Sequence, residues 1–383
     1  MAGKKELDAG RVREYFESLS DPRHERNRLH LLADIIVISI CAIVSGCEGP
    51  TAIHRWARCR EDWLRRFLPL PHGIPSRDCI RRTLILISPQ AFQKCFESWL
   101  RSTVSSDENH GGGLRLVAID GKTCRGSHDR GQELGPMHIV SAWASEEGLA
   151  LGQVATEEKS NEITASPVLL QQIALKQSLV TIDAMGCQKE IAEQIHRGKG
   201  VYVLTVKDNQ PKLLEHVQDL LREHLDAQRE DLRYRHVETR DEGHGRVDER
   251  GYLVVKVPVG SPIHKEWPSV STVGCSTRVT THADGRETEQ TRYYILNRFL
   301  SGRRFREAVR GHWSIESMHW VLDVVFREDE NQSANRALVS NFSWLRRFAI
   351  SLIKRHPEKE SIKGRMQMSG WSTEFLEQVL LAQ

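Results

Sequence analysis

Two aspartates that follow apolar stretches are the residues of this sequence best placed to do chemistry. Asp120 follows the run at 114–119, and Asp183 follows the run at 179–182. Both runs lack a helical period and predict buried strands. A carboxylate after a buried strand is costly unless it is hydrogen-bonded, paired or bound to a metal. Asp120 alone is also compatible with a turn, because Asp-Gly is a favoured turn pair. The repetition of the pattern at Asp183 favours a functional site.

The two aspartates are expected to lie side by side. Ile191 and Ile195 follow Asp183 at helical spacing, so this segment predicts a strand, a short loop and a helix, the unit of parallel and mixed sheets. Neighbouring carboxylates raise each other's pKa unless a cation neutralises them. A divalent cation with oxygen ligands would satisfy this requirement.

A third carboxylate, Glu316, lies in the segment Gly311-His-Trp-Ser-Ile-Glu-Ser-Met-His-Trp-Val-Leu-Asp323. On a helix, His312, Glu316, His319 or Trp320, and Asp323 share one face, because residues three, four and seven apart are neighbours. Viewed alone, the helix has an alternative interpretation in which Glu316 is an exposed partner of Arg310. Asp, Asp and Glu in one fold favour a joint site.

The elements that must position these residues predict an α/β protein. Residues 1–101 read as an all-helical domain and 102–113 as a linker of small polar residues. Residues 114–356 follow the order β-β-β-α-β-α-β-α, which matches a ribonuclease-H-like mixed sheet flanked by helices, with the first and fourth strands adjacent. Period-two patterning predicts a β-rich insertion at about 232–297. A C-terminal tail occupies 357–383.

Two helix boundaries are predicted from local signals. Thr51 to Phe67 reads as one Arg-rich amphipathic helix. Ser166-Pro167 reads as the capped start of a helix that ends at Leu175.

Composition narrows the class of protein. Hydrophobic content of 39% and charged content of 27% are typical of a soluble globular protein. The apolar run at 31–46 contains Asp34 and is shorter than the ~20 residues of a membrane span. The N-terminus carries no apolar signal region, and the eight cysteines show no zinc-ligand spacing. We therefore expect a cytoplasmic protein without a membrane partner.

Positive charge is concentrated in two segments. Residues 55–101 contain ten Arg or Lys against four Asp or Glu, and residues 298–310 contain five Arg against one Glu. Such clusters are commonly solvated helix faces, but they are also what binding to a phosphate backbone requires.

The motifs together resemble a known family. The sequence from about residue 11 to 356 is similar to the bacterial insertion-sequence transposases of the H-repeat-associated type, which are DDE transposases with a β-insertion before the glutamate. The motifs that carry the resemblance are Ala118–Lys122, Ser160–Thr164, Thr181–Gln188, Val206–Gln210, His244–Arg246, His312–Glu316 and His319–Val324.

The resemblance implies a catalytic and metal-binding triad of Asp120, Asp183 and Glu316. It implies two Mg²⁺ ions, with Mn²⁺ as an alternative, and double-stranded DNA as substrate, bound by a homodimer. Asp120 would bridge both ions, and each of the other two carboxylates would complete one ion's site. The candidate DNA-contacting residues are Lys122, Lys207, Asn209, His312, Arg303, Arg304 and Arg310.

The sequence departs from related transposases around the glutamate. These place a Tyr and an Arg seven and four residues before the glutamate and a Lys seven residues after it. Here the positions hold Val309, His312 and Asp323. His312 remains a candidate for holding a phosphate, whereas Asp323 cannot replace a lysine.

Three functions are compatible with these observations. The favoured one is a transposase that cuts the ends of an insertion sequence and joins them to target DNA. The second is a metal-dependent nuclease that uses the same triad without strand transfer. The third is a non-catalytic DNA-binding relative, which the loss of a triad carboxylate would favour; all three are present.

Overall fold

A nine-stranded mixed sheet organises the chain. The computed structural model describes residues 10–104, 113–156, 162–225, 234–243 and 245–381. Most of the predicted linker at 102–113, residues 232, 233 and 244 of the predicted insertion, and residues 160 and 161 of the motif Ser160–Thr164 lie outside these ranges. The strands are β1 (Arg115–Thr123), β2 (His138–Ala144), β3 (Leu149–Thr156), β4 (Ser178–Ile182), β5 (Val201–Val206), β6 (Tyr234–Gly243), β7 (Arg246–Lys256), β8 (Thr272–His282) and β9 (Glu287–Leu296).

The strand order is β3-β2-β1-β4-β5-β9-β8-β7-β6. β1 to β3 form an antiparallel meander, whereas β1, β4 and β5 run parallel to one another. The first and fourth strands are therefore adjacent, and the predicted ribonuclease-H-like arrangement is confirmed. β6 to β9 are antiparallel, and β9 pairs with β5, so the β-rich segment extends the same sheet.

Helices cover both faces of the sheet. The helices are α1 (Gly10–Glu17), α2 (Leu32–Val44), α3 (Pro50–Arg58), α4 (Glu61–Leu64), α5 (Arg77–Leu86), α6 (Pro89–Val104), α7 (Glu162–Gln172), α8 (Lys189–Arg197), α9 (Pro211–Leu225), α10 (Pro262–Glu266), α11 (Gly302–Val324), α12 (Arg336–Arg355), α13 (Ile362–Trp371) and α14 (Thr373–Leu381). On β1, Val117 and Ile119 share a core with α7, α8 and α9. Ala118 faces the opposite way and belongs to the core of α11 and α12. This alternation is the period-two pattern of a strand buried on both faces.

Both helix boundaries predicted from local signals are wrong. The helix expected from Thr51 to Phe67 is two helices, α3 and α4, because the backbone of Arg60 leaves the helical region. The helix expected to start at Ser166-Pro167 starts at Glu162 and contains Pro167 in its interior. Ser166 Oγ donates to the carbonyl oxygen of Glu162, 2.8 Å away, so Ser166 bonds to the preceding turn instead of capping a new helix.

Helix α12 joins the N-terminal helices to the sheet. Its residues from Leu338 to Ile353 are all buried. On one side Trp344 stacks on Phe96 of α6 with ring centroids 5.3 Å apart. On the other side the Ser351 hydroxyl accepts a hydrogen bond from the backbone N–H of Ala150 in β3, at 3.2 Å. The N-terminal helices, α12 and α14 therefore share one hydrophobic core.

One stretch, Glu25–Val44, is long and apolar enough by composition to cross a membrane. Within it, every residue of α2 is buried. Asp34 accepts a hydrogen bond from the Leu70 backbone N–H at 3.1 Å. The structure thus accounts for the stretch as a core helix packed among other helices.

A buried charge network connects α12 to β1. Glu328 is 2% exposed, and its carboxylate lies 3.4 Å from Arg347 Nη1 and 3.4 Å from Lys122 Nζ. Burial alone would raise the pKa of Glu328, but Arg347, Lys122 and Arg346 together lower it to about 2. Arg347 also donates from Nε to Ser141 Oγ of β2 at 3.1 Å. The network fixes the position of β1 relative to the helices on this face.

Two glycine-to-alanine substitutions inside helices are expected to have opposite effects. A Cβ on Gly311 of α11 would lie 2.1 Å from Cδ2 of the buried Leu116, so Gly311→Ala should lower the free energy of unfolding by about 1–3 kcal/mol. A Cβ on Gly364 of α13 would meet only the flexible end of Glu360 and Ser361 Oγ, at 3.0 Å and beyond. Gly364→Ala should therefore raise stability by up to about 1 kcal/mol. Urea denaturation of both variants measures the difference, and equal effects would contradict close packing of α11 on β1.

Candidate active site

The pairing of β1 with β4 brings Asp120 and Asp183 together. Ile119 is the register partner of Ile182, so the two aspartates follow paired residues on neighbouring parallel strands. Asp183 Oδ1 accepts a hydrogen bond from the Met185 backbone N–H at 3.1 Å, which caps the short turn after β4.

Asp120 lies within β1 and not at its end. The strand continues to Thr123, because Gly121, Lys122 and Thr123 pair with Val140, Ile139 and His138 of β2. The interpretation of Asp120-Gly121 as a turn is therefore wrong. β4 ends at Ile182, whereas its neighbour β1 continues past Asp120. The part of β1 that contains Asp120 therefore lies next to the turn that Asp183 caps.

Helix α11 contributes the third carboxylate. It packs along β1 and is anchored by two histidines of the predicted face. His312 Nδ1 lies 3.0 Å from Thr181 Oγ1 on β4, and His319 Nδ1 lies 3.6 Å from Asp120 Oδ2. Glu316 lies between these histidines and is exposed. The ion pair between Glu316 and Arg310 that the alternative interpretation requires is not formed, since Arg310 pairs with Asp241 at 3.2 Å.

The electrostatics show carboxylates that protein cations do not neutralise. Burial, together with the negative charges of Asp183, Glu162 and Glu316, raises the pKa of Asp120 to about 7. Burial and the charge of Glu162 also raise the pKa of Asp183, although backbone hydrogen bonds and Lys207 oppose the rise. In the described ranges neither aspartate forms an ion pair with a Lys or Arg. The charges of the site repel one another.

The donor set fits a hard divalent cation. Carboxylate oxygens are the ligands that Mg²⁺ prefers, and a cation between them would relieve the repulsion that raises their pKa values. Over the part of the chain that the structure describes, no three His, Cys, Asp or Glu side chains already converge as a ready set of ligands. Glu316 is exposed on α11, so its side chain is free to turn towards the aspartates.

Three of the residues expected to contact DNA lie close to the aspartates. Lys207 is exposed, and its charge acts on Asp183. Asn209 Nδ2 donates to the carbonyl oxygen of Ala184 at 2.6 Å, so it holds the turn after Asp183. Burial and the charge of Arg292 lower the pKa of His312 to about 4, so its ring is neutral at pH 7 and offers a phosphate no positive charge.

Lys122 occupies a different environment from the one expected for a DNA contact. It is 7% exposed, and its Nζ lies 2.6 Å from Asp323 and 2.9 Å from Asp329, in addition to its contact with Glu328. Burial opposes its charge, but these carboxylates raise the pKa of Lys122 well above its ordinary value. Its position favours a structural role and does not favour a contact with DNA.

The three arginines of α11 differ in their availability. Arg303 is 80% exposed and pairs with Glu307 at 3.0 Å. Arg304 is mostly buried, pairs with Glu146 and Glu307, and donates to the Leu114 carbonyl oxygen. Arg310 is half-exposed beside Asp241. Arg303 and Arg310 are therefore better placed than Arg304 to meet a phosphate backbone.

Sequence reasoning assigned no role to two buried residues of the site. Glu162 begins α7, is 7% exposed, and has Oε1 2.6 Å from Nε2 of His138, at the start of β2. The signal that could have found Glu162 is its place in the motif Ser160–Thr164. His138 gave no signal beyond its position at the start of a predicted strand.

The raised pKa of Asp120 predicts that the metal-free protein becomes less stable as pH rises. In the unfolded chain the carboxyl ionises near pH 4, whereas in the folded chain it ionises at about 7. Stability is therefore lost between pH 4 and pH 7 and stays lost above it. In EDTA at pH 8, Asp120→Asn should stabilise the protein by about 2–4 kcal/mol, and at pH 5 by much less.

Denaturation with urea at the two pH values measures this difference. Asp208→Asn, at an exposed position after β5, is the matched control for the loss of one carboxylate. A gain for Asp120→Asn that does not depend on pH would contradict a buried, repelled carboxylate.

Comparison with known proteins identifies the family. The family described as "Transposase DDE domain" matches residues 111–352, and the family described as "DDE_Tnp_1-associated" matches residues 13–100. The "Putative transposase YncI" of Escherichia coli O157:H7 is 34% identical over 372 residues, which cover 96% of this chain and 93% of the relative. The "H repeat-associated putative transposase YhhI" of Escherichia coli K12 is 33% identical over 382 residues, which cover 98% of each chain.

A solved synaptic complex of the piggyBac transposase with hairpin DNA is a more distant likeness, with a TM-score of 0.43 and 10% identity over 97% of this chain and 81% of that chain. The family matches cover most of the sequence, and they include both aspartates and the helix that carries Glu316. The chain belongs to the bacterial DDE transposases of the H-repeat-associated type.

Proposed function

We propose that this transposase cuts the ends of an insertion sequence and joins them to target DNA by two-metal phosphoryl transfer. The observation that carries the proposal is the pair formed by Asp120 and Asp183 at the β1–β4 junction, with their charges left unneutralised by the protein and with Glu316 on the helix beside them. Such carboxylate sets hold divalent cations that act on phosphate esters.

In this proposal Asp120, Asp183 and Glu316 hold two Mg²⁺ ions, for which Mn²⁺ can substitute. Asp120 would help to hold both ions, and Asp183 and Glu316 would each help to hold one of them. The ions would supply an activated nucleophile and stabilise the leaving oxygen. The protein's contribution is to fix the carboxylates: β2 holds the backbone of β1 beyond Asp120, and Asn209 holds the turn that Asp183 caps.

The neutral histidines of α11 serve to hold the helix. His312 contacts Thr181, and His319 lies beside Asp120 with a pKa lowered to about 3 by burial, Arg347 and Lys122. A neutral imidazole beside Asp120 does not compete with a cation for its carboxylate. These contacts leave Glu316 exposed at the surface where a DNA backbone would approach.

The DNA backbone is proposed to lie along exposed arginines. Among the described residues Arg55, Arg58, Arg81 and Arg82 are exposed without a carboxylate partner, on helices α3 and α5. Lys207, whose charge acts on Asp183, and Arg310, on the helix that carries Glu316, would contact the strand that reacts, and Arg303 would contact the backbone farther along α11. Such contacts supply affinity for any sequence, because they are made to phosphates.

The assembly is proposed to be a homodimer on double-stranded DNA, because joining requires two element ends to be held together. Its proposed location is the cytoplasm.

The main test is cleavage and joining of a labelled duplex that carries the element's own end, in the presence of Mg²⁺. The wild type should yield joined products, and Asp183→Ala should reduce both cleavage and joining by roughly 100-fold or more, because a carboxylate that stabilises the transition state is lost. Glu193→Gln, at an exposed position on α8, is the matched control and should retain activity.

The products separate the competing functions. Cleavage without joined products in the wild type would favour a nuclease. DNA binding without any metal-dependent reaction would favour a non-catalytic relative. Equal activity of Asp183→Ala and the wild type would remove Asp183 from the catalytic set.

The proposed role of α5 predicts a change in the salt dependence of DNA binding. Replacing both Arg81 and Arg82 with Ala should weaken binding to all sequences alike and reduce the slope of log K against log salt by about 1–2. The control Arg197→Ala removes an exposed arginine that pairs with Glu193 on α8, and it should leave the slope unchanged. Fluorescence anisotropy at several salt concentrations measures both slopes, and an unchanged slope for the double variant would place the DNA elsewhere.

A further inference from the structure

A cleft between the β-rich segment and α11 is lined by several arginines and, among the described residues, by no Asp or Glu. Its volume is about 210 Å³. One arginine comes from each of β7, β8, β9 and α11, namely Arg250, Arg278, Arg292 and Arg310. The side chains of Ser276 and Gln290 add neutral hydrogen-bond donors. A concave surface with this lining attracts anions.

Three of the four arginines have carboxylate partners that lie outside the lining of the cleft. Arg250 and Arg278 each donate to Asp248 at 2.9 Å. Arg310 lies 3.2 Å from Asp241. These two carboxylates cannot balance four guanidinium groups, so the cleft keeps a net positive charge.

Arg292 of β9 is the arginine of the cleft that has no acidic partner in the described ranges. It is half-buried, and its guanidinium carbon lies 5.4 Å from the centroid of the Trp313 ring. A cation is attracted to the face of an indole, but the contact does not neutralise its charge. Trp313 therefore holds Arg292 in place and leaves its positive charge available to an anion.

Trp313 connects the cleft to the face of α11 that carries Glu316. Both residues are exposed, and residues three apart lie on the same side of a helix. The residue before Trp313 is His312, whose pKa is lowered to about 4 by burial and by the charge of Arg292. Arg292 thus provides a cation beside the helix position at which related transposases have an arginine and this chain has a neutral histidine.

We infer that this cleft binds a backbone phosphate of the DNA, with Arg292 making the contact and Trp313 supporting its guanidinium group. Guanidinium groups bind phosphate oxygens through paired N–H donors. The inference rests on the proposed function, because the phosphate belongs to the DNA strand that passes Glu316. It assigns a DNA contact to the β-rich segment, which the triad itself leaves without a role.

The first test measures binding of a labelled duplex that carries the element's own end, by fluorescence anisotropy in EDTA at several salt concentrations. Arg292→Ala should weaken binding and reduce the slope of log K against log salt by about 1, because one phosphate contact is lost. Arg292→Lys keeps the charge and should keep the slope. An unchanged slope in Arg292→Ala would overturn the inference.

Arg235→Ala is the matched control for these measurements. Arg235 lies on β6 of the same β-rich segment, and its guanidinium carbon lies 4.4 Å from the ring centroid of Phe299. It therefore has the same kind of aromatic contact as Arg292, but it does not line the cleft. Its replacement should leave the slope unchanged.

The second test identifies the phosphate that occupies the cleft. Single phosphates along the element end are replaced, one at a time, by neutral methylphosphonates. At one position the replacement should weaken binding to the wild type and have no further effect on Arg292→Ala, because the contact is already lost. If the two changes are additive at every position, Arg292 contacts no phosphate and the inference fails.

Other occupants of the cleft give different results. Isothermal titration with inorganic phosphate that detects binding to the wild type and none to Arg292→Ala, together with equal duplex binding, would assign the cleft to a free anion. A change in sedimentation of Arg292→Ala with unchanged duplex binding would assign it to a second copy of the chain. Either result would overturn the inference. Circular dichroism melting establishes that each variant is folded, and Arg292→Gln replaces Arg292→Ala if the alanine variant is not.

The binding tests in EDTA are independent of the proposed reaction. If the wild type cuts and joins DNA but no phosphate couples to Arg292, only the inference fails. If a phosphate couples to Arg292 but the wild type shows no metal-dependent reaction, the proposed reaction fails and the DNA contact stands. If the wild type binds no duplex, both fail.

Discussion

The cost of holding ionised carboxylates side by side in a largely buried position is the constraint on which this structure depends. Asp120 and Asp183 are brought together by the β1–β4 register, and burial with mutual repulsion raises the pKa values of both. A protein could lower this cost by placing an arginine or lysine between them. In this chain the nearest buried cations instead pair with other carboxylates. The two aspartates therefore remain available to an external cation.

The buried network around Glu328 shows how the chain arranges its positive charges. Lys122 lies two residues after Asp120 on β1, yet its ammonium contacts Asp323, Glu328 and Asp329. Arg347 is fully buried and pairs with the same Glu328. Removing one partner of a buried ion pair commonly costs about 3–5 kcal/mol, because the other charge is left buried and unpaired. The ion pairs therefore constrain where Lys122 and its strand lie, and they do so without neutralising Asp120.

Much of this arrangement could be predicted from the sequence, because it depends on local patterns. The apolar runs before Asp120 and Asp183 identify buried strands, and the order of elements identifies their adjacency in the sheet. The spacing of His312 and His319 identifies the side of α11 that reaches β1 and β4, whereas Glu316 between them is exposed. These predictions succeed because a strand's period and a helix's period are fixed by backbone geometry.

The remaining features depend on contacts between distant residues. The dipeptide Asp-Gly is common in turns. Asp120-Gly121 is part of a strand because it pairs with β2. Ser166-Pro167 has the sequence of a helix start, but a preceding turn of helix is stabilised by packing of α7 on the sheet. Glu162 and His138 are 24 residues apart in the sequence, and their contact follows from the absence of a side chain at Gly121. No local pattern carries that information.

The departures from related transposases around Glu316 have a common physical explanation. The transposase pattern from which the sequence departs has a lysine seven residues after the glutamate. Here Asp323 holds that position and contacts a lysine from β1, with Lys122 Nζ 2.6 Å from its carboxylate. The position four residues before the glutamate holds His312, which is neutral and bonded to Thr181 of β4. Both positions therefore attach α11 to the strands that carry Asp120 and Asp183. In this chain the residues flanking Glu316 on its helix attach that helix to the strands of the two aspartates, and the positive charge of the proposed DNA contacts would come from Lys207 and from arginines outside that face.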